Sequence, residues 1–241
     1  MSDVLGVPGD FFPARIERIE QVTPLIKVFS LAADPERFQA RAGQWLDLAI
    51  PGPGEPVIGG YSVVSAPSAD GRLQLAIKYA DHHAVTHHLH TVSRVGDQVW
   101  ITTGQGSFYF EPGMSREVVL LGAGIGVTPL MSILRFIDAE APDVQVQLVY
   151  SVASRHEVLF ADELARLARS PNIHVTLTVT RDAEDWLGHT GRISHHLLES
   201  LHLPRGALFY YCGSREFIDD MTELLTAWGI PEQQLKYEKW W

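Results

Sequence analysis

Gly122, Gly124 and Gly126 stand at spacing two within VVLLGAGIGVTPLM, residues 118–131. Glycines so placed let another molecule approach the backbone closely. The apolar run Val118 to Leu121 before them reads as a buried parallel strand. Thr128 can cap a helix through its hydroxyl, and Pro129 suits a first helical turn, where its missing N–H costs nothing. Leu130, Ile133, Leu134 and Ile137 then recur at helical spacing. A strand, a glycine turn and a helix present N–H groups and the positive end of a helix dipole to an anion, most often a phosphate. The pattern departs from G-x-G-x-x-G, and a turn that only permits close strand–helix packing is the competing reading.

Two other groups of residues have chemistry in their types. Tyr61 and Ser62 follow the pair Gly59-Gly60. A tyrosine beside a hydroxyl can stack on a flat ring and donate to one of its nitrogens. A tyrosine in a strand also simply suits a barrel wall. His82, His83, His87, His88 and His90 crowd one short segment. His83 and His87 are four apart, as paired metal ligands on a helix are. No carboxylate completes a set there, so solvated helix histidines and no metal are expected.

The elements that must position these residues fall into two halves. From Pro13 to about Glu111 the apolar period is near two. ARIERIEQVTP, LIKVFSLAA, QWLDLAI, GYSVVSA, LQLAIKYA and DQVWITT read as strands separated by Gly, Pro and Asp clusters. This predicts a six-stranded antiparallel barrel. A helix from about Ala84 to Val92 interrupts it, with Thr86 in its first turn. After Gly113, strands at 118–121, 146–152, 174–180 and 207–212 alternate with helices, and LKYE adds a final short strand. The alternation predicts a five-stranded parallel sheet with helices on both faces. Ligands bind such sheets at the carboxyl ends of strands, at the switch point. Gly122 to Thr128, Ser151 to Arg155, Thr180-Arg181 and Cys212-Gly213-Ser214 fall there. The predicted domains are 12–112 and 113–241.

Composition narrows the function. The 241 residues carry a formal charge of −10 with no basic block, which argues against nucleic-acid binding. Cys212 is the only cysteine, so an intrachain disulfide and a Cys₄ iron–sulfur cluster are excluded. No apolar run reaches about 18 residues, so no membrane span is expected. The first residues lack a secretory apolar region and carry acids. A cytoplasmic protein is the expectation.

The motifs together resemble the ferredoxin–NADP reductase superfamily, in the family's order and over residues 12 to 241. G-Y-S at 60–62 resembles the end of its R-x-Y-S flavin motif. Thr86 in HHAVTHHLH is similar to the Ser/Thr of its flavin-phosphate helix. GAGIGVTP at 122–129 resembles its nicotinamide-dinucleotide motif, and C-G-S at 212–214 its C-G pair beside the nicotinamide. IGGYSVVSAP, LAIKYADH and the terminal EKWW resemble one subgroup more closely. Two departures stand out. Gly59 occupies the position of the motif arginine, and loss of such a charge-assisted contact costs roughly 1.5–3 kcal/mol. His82 and His83 replace the family's glycine pair before the phosphate helix.

The resemblance implies a Greek-key flavin barrel followed by a Rossmann-like domain. It implies hydride transfer between NAD(P)H and bound FAD, with FMN as the alternative. Electrons then pass to a separate acceptor, a small redox protein or a small molecule. Tyr61 would stack on the flavin, Ser62 would hydrogen-bond near its reactive nitrogen, and Lys78 and Thr86 would complete its cofactor contacts. Gly122, Gly124, Gly126, Thr128 and Gly213 would hold the dinucleotide, with Cys212 near the nicotinamide. Glu238, Trp240 and Trp241 would close the flavin site, Trp240 shielding the ring and Trp241 stacking on adenine. Arg155 and Arg181 follow the second and third strands of the second half, where arginine suits a 2′-phosphate. No acid stands immediately at the end of that second strand, so NADP(H) is favoured over NAD(H). Gly59 keeps one other class open, a flavin-free nucleotide-binding sensor or partner subunit.

Overall fold

The computed structural model describes residues 6–52, 54–182 and 184–239. The chain divides into two compact units, between Tyr109 and Phe110.

The first unit holds β1 (Phe12–Thr23), β2 (Ile26–Ala33), β3 (Trp45–Ile50), β4 (Val57–Ser62), β5 (Arg72–Lys78) and β6 (Gln98–Ile101), with α1 (Ala84–Thr91) before β6. The strands pair antiparallel in the order β4-β3-β6-β1-β2-β5, a Greek-key arrangement. In β1, Phe12, Ala14 and Ile16 point inward and the residues between them outward, the alternation expected of a half-buried strand. They join Phe29, Leu31, Leu46, Leu48, Leu75 and Ile77 in one core, which α1 enters through Val85 and Leu89. The strand expected at 60–66 lies earlier, at Val57–Ser62. Beyond it the chain crosses to β5. The N–H of Val63 donates to Gln44, that of Val64 donates to Gln74, and Val63 bridges Leu75, which closes the sheet on itself.

The second unit holds β7 (Glu117–Ala123), α2 (Val127–Glu140), β8 (Gln145–Val152), α3 (Ala161–Leu167), β9 (Ile173–Val179), β10 (His189–Thr190), α4 (His195–Ser200), β11 (Leu208–Cys212), α5 (Arg215–Ala227) and β12 (Leu235–Tyr237). The strand order is β10-β9-β8-β7-β11-β12, all parallel. Its central strands are buried apolar runs, as a sheet covered on both faces requires. The sheet has six strands where five are expected. The additional β10 is two exposed residues, His189 and Thr190, too short and too polar to leave a strand pattern in the sequence. The order reverses between β7 and β11, so the switch point lies where Gly122 pairs with Cys212.

Thr128 is not the helix cap. Gly124–Gly126 coil into a 3-10 turn, α2 begins at Val127, and the cap position falls on Gly126. The Thr128 hydroxyl is turned back and donates to the Ile125 carbonyl at 2.9 Å. Among the described residues, no helix is long and apolar enough to cross a membrane.

Candidate functional site

The three glycines of the turn do different things. At Gly122 a Cβ would lie 2.9 Å from Leu130 Cδ1. At Gly126 it would lie 2.3 Å from the Cys212 carbonyl oxygen. Those two glycines let α2 press against β7 and β11. Gly124 has φ +53° and open space before it. Of the three glycines it is the one with open space beside it, and no side chain caps either the 3-10 turn or α2. Uncapped N–H groups at such a terminus are donors for an anion.

Gly124 lines a cavity of about 240 Å³ at the carboxyl ends of the strands. Ser151 near the end of β8, Ala153 just after it, Thr180 after β9 and Ser214 after β11 also line it, as the switch-point rule predicts. Cys212 ends β11, buried, and Gly213 packs under the Phe217 ring. Ser214 caps α5 by accepting from the Phe217 N–H at 3.3 Å. Four further residues on this wall carry no motif and escape a sequence reading: Glu157, Arg192, Glu216 and Asp220. Arg192 is paired with Asp220 at 3.3 Å. Glu157 follows β8 by five residues, too far for a search at the strand end itself.

The two arginines expected at a phosphate are not together. Arg155 opens a 3-10 turn, Arg155–Glu157, and lines a second cavity of about 480 Å³. Asp182, Glu184 and Asp185 share that cavity. Arg181 is exposed and lines neither cavity.

In the first unit, Tyr61 lies on β4 two residues after Gly59, on the same face. A Cβ at Gly59 would stand 2.8 Å from the Tyr61 hydroxyl and 3.2 Å from His83 Cε1. The tyrosine ring therefore lies over Gly59. Its hydroxyl is buried without a hydrogen-bond partner among the described residues, and burial raises its pKa well above the usual phenol value. A buried donor left unpaired costs about 1–3 kcal/mol, which a ligand atom can recover. Ser62 ends β4 half-buried and Lys78 ends β5 exposed.

Thr86 is buried and its hydroxyl is used within the chain. It accepts from the Ala80 N–H at 3.2 Å and lies 2.9 Å from the Ala80 and 3.0 Å from the His83 carbonyl. It pins the turn into α1. The histidines have diverged in role. His82, His83 and His87 are exposed, whereas His90 Nε2 meets the Ile77 carbonyl at 2.9 Å and burial lowers its pKa. Among the described residues no group of three His, Cys, Asp or Glu side chains comes together to hold a metal ion.

Glu238 is half-buried, one carboxylate oxygen has no partner among the described residues, and burial pushes its pKa up to about 8. Trp240 and Trp241 lie outside the described residues.

Comparison with known proteins agrees with this arrangement. The model of the oxidoreductase FAD-binding domain matches residues 13–110, and that of the oxidoreductase NAD-binding domain matches residues 120–223. Oxidoreductase NAD-binding domain-containing protein 1 of Danio rerio is 33% identical over 258 residues, which covers 96% of this chain and 93% of that one. Ferredoxin–NADP reductase B of Sorangium cellulosum is 28% identical, over 97% of this chain and 99% of that one. The solved ferredoxin NADP+ reductase of Neisseria gonorrhoeae, with FAD and NADP bound, superposes with a TM-score of 0.82 at 25% identity, over 96% and 99% of the two chains. A closed antiparallel barrel, a parallel sheet with a glycine turn at its switch point, and matches along nearly the whole chain have one reading: this protein belongs to the ferredoxin–NADP reductase superfamily of oxidoreductases, with the relatives named oxidoreductase NAD-binding domain-containing protein 1.

Proposed function

We propose that this protein is an NAD(P)H-dependent flavoprotein reductase that takes hydride onto FAD and passes electrons to a separate acceptor. The flavin domain would span 12–112 and the nucleotide domain 113–241. The observation that carries the reading is the open Gly124 turn, with Ser151, Thr180 and Ser214 around one cavity at the switch point. Bound flavin supplies the exchange between a two-electron hydride and single electrons. The chain's own residues bind and orient. Tyr61 offers a ring face and an unpaired hydroxyl, and Ser62 a hydroxyl at the adjacent position. Lys78, exposed at the end of β5, offers a charge to the cofactor. Thr86 acts by holding the turn before α1, so that backbone N–H groups rather than its hydroxyl meet phosphate. Gly122, Gly124, Gly126, Thr128 and Gly213 would hold the dinucleotide, with Cys212 near the nicotinamide. Glu238, Trp240 and Trp241 would close the flavin site.

Any acceptor must bring its own redox centre, because one cysteine cannot hold a cluster. A small redox protein or a small molecule meets that need. A cytoplasmic location is part of the proposal and fits a chain whose one cysteine can close no disulfide within it.

The test is a titration of purified protein with FAD, followed by addition of NADH or NADPH without oxygen. The reading predicts quenched flavin fluorescence at about one equivalent and loss of the yellow colour on adding nucleotide. A second reading, a flavin-free nucleotide sensor, is favoured by Gly59 in place of the motif arginine and by the internal use of the Thr86 hydroxyl. It predicts nucleotide binding with no flavin bound.

A further inference from the structure

We infer that the nucleotide cleft selects NAD(H) over NADP(H), with Glu157 receiving the ribose 2′-hydroxyl of the adenosine half. The inference rests on the dinucleotide reading above and reverses the preference expected from Arg155 and Arg181. It is carried by the side chains that line two cavities, drawn from the turns after β8 and β9, the segment after β10 and α5. Glu157, Glu216 and Asp220 line the first cavity with Arg192, and Arg192 is already paired with Asp220 at 3.3 Å. Asp182, Glu184 and Asp185 line the second with Arg155 and His156. Six carboxylates thus face two guanidiniums. A 2′-phosphate brings a further charge of about −1.5 to −2 at neutral pH, and like charges so close repel. A ribose hydroxyl brings none and donates to a carboxylate.

Glu157 is the acid suited to that hydroxyl. It lies five residues beyond the strand next to the glycine strand, and the 3-10 turn brings it to the cavity wall, near where an acid at that strand's end takes the ribose 2′-hydroxyl in parallel sheets of this kind. Its carboxylate takes no hydrogen bond or ion pair from another described residue, so it is available to a ligand. Its backbone is held. The Glu157 N–H donates to the Ser154 carbonyl at 3.0 Å, and the Ser154 hydroxyl accepts from His156 N–H at 3.3 Å. Two residues on, the Leu159 N–H donates to the buried Tyr150 hydroxyl at 3.4 Å. Arg155 leans toward His156, with Nε 3.4 Å from the ring Nε2, among the three acids of its own cavity.

The test separates this inference from the one beneath it. Calorimetry on the flavin-loaded protein uses 5′-ADP and 2′,5′-ADP, which report the adenosine site without turnover. Steady-state rates with NADH and NADPH accompany it. The expected result is about tenfold tighter binding of 5′-ADP and at least a comparable advantage of NADH in kcat/KM. Glu157→Gln narrows both ratios by about fivefold, mainly through a higher KM for NADH, with the circular dichroism unchanged. Equal affinities, a preference for the 2′-phosphorylated compounds, or unaltered ratios in folded Glu157→Gln overturn the inference and leave the reductase reading standing. Failure of both fragments and both nucleotides to bind overturns the two together.

Discussion

Gly59 shows what a missing side chain does. The family motif has an arginine there, and restoring it is expected from sequence to tighten flavin if the phosphate lies nearby and the strand tolerates the side chain. The geometry predicts the opposite for this chain, because a Cβ at position 59 meets the Tyr61 hydroxyl at 2.8 Å. Gly59→Arg drives Tyr61 off its place and costs about 1–3 kcal/mol, read as a lower melting temperature and weaker FAD in a fluorescence titration. Tyr61→Phe separates folding from binding. It removes an unpaired buried hydroxyl, so the flavin-free protein keeps or gains stability, while FAD binds about fivefold more weakly. Unchanged FAD affinity removes the hydroxyl from the site. Glu238 supplies a pH signature. Its folded pKa of about 8 lies above the ordinary glutamate value, so the folded state holds a proton the unfolded state has lost. Stability therefore falls as pH rises from about 4.5 to 8. Glu238→Gln flattens that fall, by about 4 °C in melting temperature between the two ends. Residue types were legible in the sequence at Tyr61, Ser62 and Thr86. Their directions were not, because the same threonine can meet a ligand or turn onto its own backbone, and only packing decides.

The glycine turn is where sequence and structure agree most closely, since a strand, a turn and a helix each leave a local pattern. The division of labour among its glycines is a tertiary matter and could not be read. Gly126→Ala pushes a methyl against the Cys212 carbonyl, which is backbone and cannot yield cheaply. A loss of about 5 °C in melting temperature is expected, with a loss of nucleotide binding that follows the loss of fold. Gly124→Ala meets no neighbour and pays only for its left-handed backbone, about 1 kcal/mol. Its effect falls chiefly on nucleotide affinity, measured with 5′-ADP. If the two variants behave alike, the assignment of Gly124 to the ligand is wrong. The strands of the sheet were legible from apolar runs, except β10, whose two polar residues have no such run. Glu157 was missed for a related reason. A 3-10 turn carries it back to the cleft, and turns of three residues leave no periodicity.

In the molecule as a whole, one cysteine, a charge of −10 and two matched domains describe a flavin and nucleotide device without a cluster of its own. The domain plan was legible because the apolar period changes from two to a strand–helix alternation near Gly113. The proposed nucleotide preference was not, because the acids behind it come from the turns after β8 and β9 and from α5. The acidic cleft also predicts a salt effect. Added salt screens its repulsion of a 2′-phosphate, so the KM for NADPH falls relative to that for NADH as ionic strength rises. The most direct measurement is an oxygen-free titration of FAD-loaded protein with NADH, followed by the flavin absorbance. About one equivalent of NADH per flavin is predicted to remove the yellow colour, and admitting an acceptor to restore it. Protein that retains no flavin after addition of excess FAD, or whose flavin stays oxidised with both NADH and NADPH, contradicts the reductase reading.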